Sequence, residues 1–364
     1  VESSLQGVAI DLPPPFAKSA GEAWPLRVER SAGAGGSQLV DVTLAKLLAA
    51  RLQLRGEGPA MTVERAGIGV GDLGVALPDR PGVFVSANLG TIDLDRFLAL
   101  QGDAGKGAPS FQIAAVSLRS PEVIVGGKVF HDVQARALQT QPARWQIGVN
   151  AREVSGDVSY ASDGKGAVVA KLKHLVHPES PPGASDAGGE TIESLPAIEL
   201  TAERYVFHER ELGRLEVRAV NERRGWRVDR LSLVSPDCRF SADGLWQPPA
   251  PSSPPRTSFV FDIDAPDAGK CLARLGYPEA VVGGTAELRG EAEWRGPVYA
   301  IHYPTLAGKL SIEATKGQFV KVRPGIGKLL GVLSLQSLPR RITLDFRDVF
   351  SEGFAFDSIR GTAQ

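Results

Sequence analysis

Methionine occurs once in the 364 residues, and aromatic residues make up only 7%. The apolar stock is therefore Leu, Val, Ile and Ala, so whatever apolar surface the chain builds is aliphatic. An excess of charge is missing too: 41 Lys+Arg stand against 42 Asp+Glu, for a net charge of -1. That balance gives no general attraction to nucleic acid and no acidic tail. No run of about 18 apolar residues offers a membrane-spanning helix, and no signal peptide or initiator Met precedes Val1, so the chain reads as a soluble piece of something longer. The two cysteines, Cys238 and Cys271, lack CxxC spacing, which excludes a zinc ribbon or thioredoxin motif and leaves their pairing open.

Groups for catalysis or metal binding are equally thin. His174 and His177 (HLVH) have i,i+3 spacing, and His131, His208 and His302 are scattered, without the Cys or carboxylate framework of a zinc site. Asp345, Asp348, Glu352 and Asp357 fall at alternating or turn positions, where they mark a solvated face rather than an acid pair for glycoside chemistry. GAGGS (33–37) and GIGVGDLG (67–74) lack the strand, capped helix and lysine of a phosphate loop and read as loops or bulges. No enzyme, metal or cofactor is expected.

What is abundant is punctuation: 41 Gly and 26 Pro favour many short strands and turns over long helices. The dominant period is two. From Ala286 to Trp294, Ala286, Leu288, Gly290, Ala292 and Trp294 alternate with Glu287, Arg289, Glu291 and Glu293, a strand with one wet face. The same alternation runs through Phe259/Phe261/Ile263, Leu215/Val217/Ala219, Cys238/Phe240/Ala242, Leu310/Ile312/Ala314 and Ile342/Leu344/Phe346. Lys316-Gly317 and Ser351-Glu352-Gly353 read as hairpin loops, and a phase slip between Val228 and Leu231 reads as a bulge. The expectation is an antiparallel meander of roughly fifteen strands with three or four short helices.

Two stretches rich in Pro, Ser and Gly, 177–194 and 247–256, read as flexible connections. They divide the chain into β segments over 1–176, 195–246 and 257–364. A weak repeat relates VSANLGTIDLDRFLALQG (85–102) to FVFDIDAPDAGKCLARLG (259–276): strand, Asp-containing turn, short helix, closing Gly. A further Leu-rich helix is expected over Lys328–Ser337, ended by Pro339.

So many one-sided strands with so few helices leave apolar area to cover, at about 25 cal/mol per Å². A membrane barrel would need aromatic girdles, which 7% aromatics does not supply. A sandwich of two sheets, or a concave sheet holding lipid, both satisfy the pattern, and periodicity does not separate them.

The stretch GIGKLLGVLSLQSLPRRITLDFRDVFSEGFAFDSIRG (325–361) resembles the C-terminal signature of the AsmA-like envelope proteins, in particular the YhdP branch. SSLQGVAIDLPPPFAKSAGEAWPLRV (3–28) and GWRVDRLSLVSPDCRFSADGLW (225–246) are similar to the same branch. The resemblance implies a mainly β architecture, a long curved antiparallel sheet forming an open β-groove with a few short helices. It implies a bridge-like protein of the Gram-negative envelope, anchored in the inner membrane, whose periplasmic groove conducts phospholipid toward the outer membrane. Its partners would be acyl chains, the two membranes and envelope proteins. The alternative is a scaffolding β-sandwich that binds a protein partner in the envelope. For the groove, Leu310, Ile312, Phe319, Val332, Leu333, Ile342, Leu344, Phe346, Phe354 and Phe356 are the expected lining, with Arg340 and Arg341 as candidates for headgroup contact.

Overall fold

A computed structural model describes the chain except residues 57, 59–60, 101–111, 181–194, 223–224, 250–253, 299–300 and 321–353. Strands dominate, as the period of two predicts, and the described residues include two α-helices. They fall into two units: Val1–Ser162 with Pro178–Gly188, and Asp163–His177 with Gly189–Gln364.

In the first unit the strands are β1 (Glu2–Ser3), β2 (Leu26–Ala32), β3 (Gln38–Leu44), β4 (Leu48–Arg55), β5 (Thr62–Val70) and β6 (Gly82–Asn88). There follow β7 (Thr91–Asp93), helix α1 (Leu94–Leu100), β8 (Ile113–Val125), β9 (Lys128–Gln141), β10 (Arg144–Asn150) and β11 (Val154–Ala161). Strands β2 to β6 and β8 to β11 pair in chain order as one sheet. The second unit contains β12 (Ala167–Val176), β13 (Ala197–Phe207), β14 (Arg210–Glu222), β15 (Gly225–Val234), β16 (Arg239–Gln247) and β17 (Arg256–Ala265). Helix α2 (Ala268–Arg274), β18 (Val281–Arg295), β19 (Ala307–Phe319) and β20 (Phe354–Ala363) complete it, and β12 to β20 again pair in chain order.

The purely antiparallel expectation needs correcting. Pairs β5–β6, β6–β8, β7–β8 and β12–β13 are parallel. Each connection here is too long for a hairpin and carries the chain back to the same end of the sheet. The return from β5 explains GIGVGDLG: Gly67 and Gly69 lie within the strand, and a Cβ there would stand 2.3 Å from the Ala76 carbonyl oxygen and 2.2 Å from that of Asp72. Only glycine lets the returning segment lie so close.

Lys316-Gly317 is likewise no hairpin loop. It sits inside β19, where Lys316 has φ 53 and pairing continues on both sides. The slip between Val228 and Leu231 is present as a register shift against β16. The repeat also holds in its described part, with β6 and β7 leading to α1 as β17 leads to α2. The expected helix over Lys328–Ser337 lies outside the described residues.

Candidate functional site: an apolar strip on each sheet

Strand alternation gives each sheet one apolar and one polar face, and the pairing registers align the apolar positions into rows. In the first unit Val28, Val42, Ala50, Ile68, Val85, Val116, Ala137, Ile147 and Val158 are successive cross-strand partners over nine strands. In the second, Ala170, Leu200, Val217, Leu231, Ala242, Phe261, Gly290, Leu310 and Ala363 do the same. The next row runs Leu172, Ala202, Leu215, Leu233, Phe240, Ile263, Leu288, Ile312 and Gly361. Neither row contains a polar side chain.

Burial distinguishes these rows from a packed core. Leu172 and Leu215 are buried, but Leu231, Leu233, Phe240, Phe261, Ile263, Leu288, Leu310 and Ile312 stop at half-burial. The two largest side chains below 2% exposure among the described residues are Thr257 and Ser120. Interdigitated sheets bury their large aliphatic residues throughout. The strip is also low in relief: a Cβ at Gly290 would stand 2.8 Å from the Phe261 ring, and one at Gly244 2.6 Å from the Phe259 ring. These phenyl groups therefore lie flat over glycine on neighbouring strands.

The opposite face is held in water by charge. Arg289 meets Asp262 at 3.2 Å, Arg239 meets Asp264 at 3.2 Å and Arg360 meets Glu313 at 2.7 Å, each a cross-strand pair. Exposed pairs of this kind contribute at most about 1 kcal/mol apiece, so their effect is mainly to keep the face solvated. A depression of about 790 Å³ over β15–β19 belongs to this face. Its lining takes the residues either side of the apolar positions, such as Arg227 and Asp229 around Val228. It is not part of the strip.

At one end of the strands in the second unit the strip meets a row of tryptophans. Trp226 pairs with Trp246, Trp246 with Thr257, and Thr257 with Trp294. All three indoles are buried; Trp226 Nε1 donates to the Pro196 carbonyl and Trp294 Nε1 to that of Pro297, both at 3.0 Å. Phe259 stacks on Trp294 with ring centroids 5.8 Å apart. At the other end lies α2, tied by a disulfide between Cys238 and Cys271 and by the Arg274–Asp237 ion pair. The Arg274 guanidinium, hydrogen-bonded to Asp237, holds that carboxyl below the usual carboxylate range and is itself raised in return.

Of the expected lining, Leu310 and Ile312 stand on the strip. Phe319 registers with Phe354, and its ring lies 5.1 Å from that of Phe356. On β20 half-buried Phe356 pairs with buried Gly317, beyond Lys316, whose positive φ interrupts the alternation of β19. Ile359, Gly361 and Ala363 face Ala314, Ile312 and Leu310 instead. Val332, Leu333, Arg340, Arg341, Ile342, Leu344 and Phe346 lie outside the described residues, as do Asp345, Asp348 and Glu352.

The histidines do not converge. His174 belongs to strand β12, His177 packs edge-on to Phe207 at 5.0 Å, and His131 Nδ1 lies 2.7 Å from Glu153 Oε1. Among the described residues no three His, Cys, Asp or Glu side chains are placed to share a metal. No helix among them is long and apolar enough to cross a membrane.

Among the described residues each unit is thus built on one β-sheet that carries an aliphatic strip on one face and paired charges on the other. The chain belongs to the YhdP family, which it matches over residues 1–364. It is 25% identical, over its whole length, to the intermembrane phospholipid transporter YhdP of Escherichia coli (strain K12). The alignment covers 29% of that relative, so the chain spans less than a third of its length. No solved structure matches.

Proposed function

We propose that this chain is a section of a bridge-like protein that conducts phospholipid between the inner and outer membranes of a Gram-negative envelope, with acyl chains carried in a β-groove along the apolar strip of each unit. The observation that carries this reading is the unbroken apolar row across nine strands, half-buried over much of its length. Nine strands at about 4.8 Å spacing make a path of about 38 Å, against about 15 Å for the acyl layer of one leaflet. A lipid tail therefore finds apolar contact along its whole length. Each methylene kept out of water gains about 0.8 kcal/mol, so a continuous strip lowers the barrier that free lipid meets in an aqueous gap. No reactive group or nucleotide site is required.

The name of the Escherichia coli relative, an intermembrane phospholipid transporter, points the same way. The disulfide supports a periplasmic setting, because such bonds persist in oxidising compartments and are rare in the cytosol. Leu310 and Ile312 are the positions proposed to touch acyl chains, and Arg340 and Arg341 remain the proposed headgroup contacts. Native mass spectrometry of the purified chain, with thin-layer chromatography of its extract, tests the reading. Co-purifying phospholipid is expected. A clean apoprotein that also fails to capture lipid through photo-crosslinkers at Leu310 and Ile312 would instead favour a scaffold for a protein partner.

A further inference from the structure

The two short helices hold matching places in the paired segments and are capped alike. Asp93 Oδ1 accepts the Arg96 amide at 3.2 Å, and Asp267 Oδ1 accepts the Lys270 amide at 3.0 Å. In both cases the same aspartate also pairs with that residue's side chain, at 3.2 and 2.9 Å. Seven residues are too few for a helix to hold its own shape in water, so each depends on tethers to the sheet.

The tethers fasten each helix to the turn of a neighbouring hairpin. The Asp95 carboxylate accepts the amides of Gly126 and Gly127 at 2.7 and 2.8 Å, in the turn between β8 and β9. Phe97 packs against Phe16 with rings 5.8 Å apart. In the second unit Cys271 stands where Phe97 does in the first, and its disulfide reaches Cys238 in the turn between β15 and β16. Arg274 adds two hydrogen bonds to Asp237 in that turn, at 2.6 and 3.1 Å, and one to the Glu211 carbonyl of β14 at 3.0 Å. The other end of α2 sits against β18, where a Cβ on Gly269 would stand 2.7 Å from the Val281 carbonyl oxygen. The helix thus lies across the strand ends from β18 to β14.

We propose that α2 is a rim stop for the lipid path, with Cys271 and Arg274 as its positioning residues, and that it keeps acyl chains from sliding off the strip over the ends of these strands. The inference rests on the lipid reading above. The tryptophan row lies at the opposite ends of β15 to β18, so over these strands motion along the strand direction is blocked at both rims. Only movement from strand to strand stays open, and the strip becomes a one-dimensional path. Disulfide and ion pair are redundant in this role, since either alone holds α2 to the same turn.

The test places photo-crosslinkers at Leu288, inside the strip, and at Tyr277, beyond α2 and 43% exposed. The purified chain is loaded from vesicles of phosphatidylethanolamine and phosphatidylglycerol. With both clasps intact, lipid capture at Leu288 should exceed that at Tyr277 by about tenfold, the preference that roughly two buried methylenes provide. Release of both clasps, by Arg274→Ala together with Cys238→Ser and Cys271→Ser, should bring the two yields together while the amides of β17 and β18 keep their exchange protection. Should that protection be lost, the milder pairing of Asp237→Asn with dithiol reduction decides. Equal capture at both positions in the clasped protein, or an unchanged ratio after release, overturns the rim stop while leaving lipid capture itself intact. Absence of capture at Leu288, Leu310 and Tyr277 alike overturns the lipid reading and the rim stop with it.

Discussion

The Asp237 carboxylate, 7% exposed, receives both Nε and Nη2 of Arg274 across a separation of 37 residues. The pair joins a strand-end turn to a helix, so its loss removes one of the two clasps on α2. Removing one partner of a wholly buried pair costs about 3–5 kcal/mol. Arg274 keeps 29% exposure, so water screens part of the charge left behind and about 2 kcal/mol is the expected cost of Arg274→Ala.

The pH dependence has a definite sign. Asp237 has a folded pKa below its unfolded value. Its contribution is therefore present above the ordinary aspartate pKa of about 3.9 and is lost as pH falls through the depressed folded value. Urea midpoints of the wild type and Arg274→Ala should differ at pH 7 and converge in strong acid; a gap that persists unchanged at low pH would assign the cost to packing alone.

The disulfide acts chiefly on the unfolded chain. Closing a loop over 33 residues removes conformational entropy worth about 3–4 kcal/mol in the chain-entropy picture. Reduction by a dithiol, or Cys238→Ser, should lower the denaturation midpoint of the second unit accordingly. The first unit, which contains no cysteine, should keep its midpoint when each unit is followed by hydrogen exchange.

Gly213 carries a backbone prediction. Its φ is 104, and a Cβ there would stand 2.2 Å from the Val234 carbonyl oxygen of the neighbouring strand. Gly213→Ala meets both a disfavoured backbone region and a clash, with an expected cost of about 2 kcal/mol. The urea midpoint should fall with little change in slope, because the surface exposed on unfolding is nearly the same.

What could be read from the residues alone was the local alternation. The run from Ala286 to Trp294 became β18 with the expected faces, and the slip at Val228 and Leu231 marked a real shift of register. Non-local features were out of reach. The parallel pairing of β12 with β13 depends on where a long connection returns, and Glu153 meets His131 because the turn after β10 lies against the start of β9. The cysteines gave no spacing signal because their partnership is set by where α2 lands. In GFAFDSIRGTA either phase of the strand offers apolar residues, Phe356 in one and Ile359, Gly361 and Ala363 in the other. The register against β19 sets the second phase beside Leu310, Ile312 and Ala314 and pairs Phe356 with Gly317.

That register yields the sharpest test of which face carries lipid. Ile359 stands opposite Ala314 on the side of Leu310 and Ile312, whereas Arg360 points the other way, its guanidinium pairing with Glu313. Phe356 packs with Phe319 beyond the interruption at Lys316 and does not decide between the faces. Photo-crosslinkers at Ile359, Leu310 and Ile312 should therefore capture phospholipid in cells, with much lower yield at Ser311 and Arg360. Replacing Ile312 by Asp puts a charge in the middle of the strip and should reduce capture at Leu310 and Ile359, whereas Ser311→Asp on the opposite face should leave it unchanged. Strong capture at Arg360 with none at Ile359 would mean that acyl chains use the other side of this sheet.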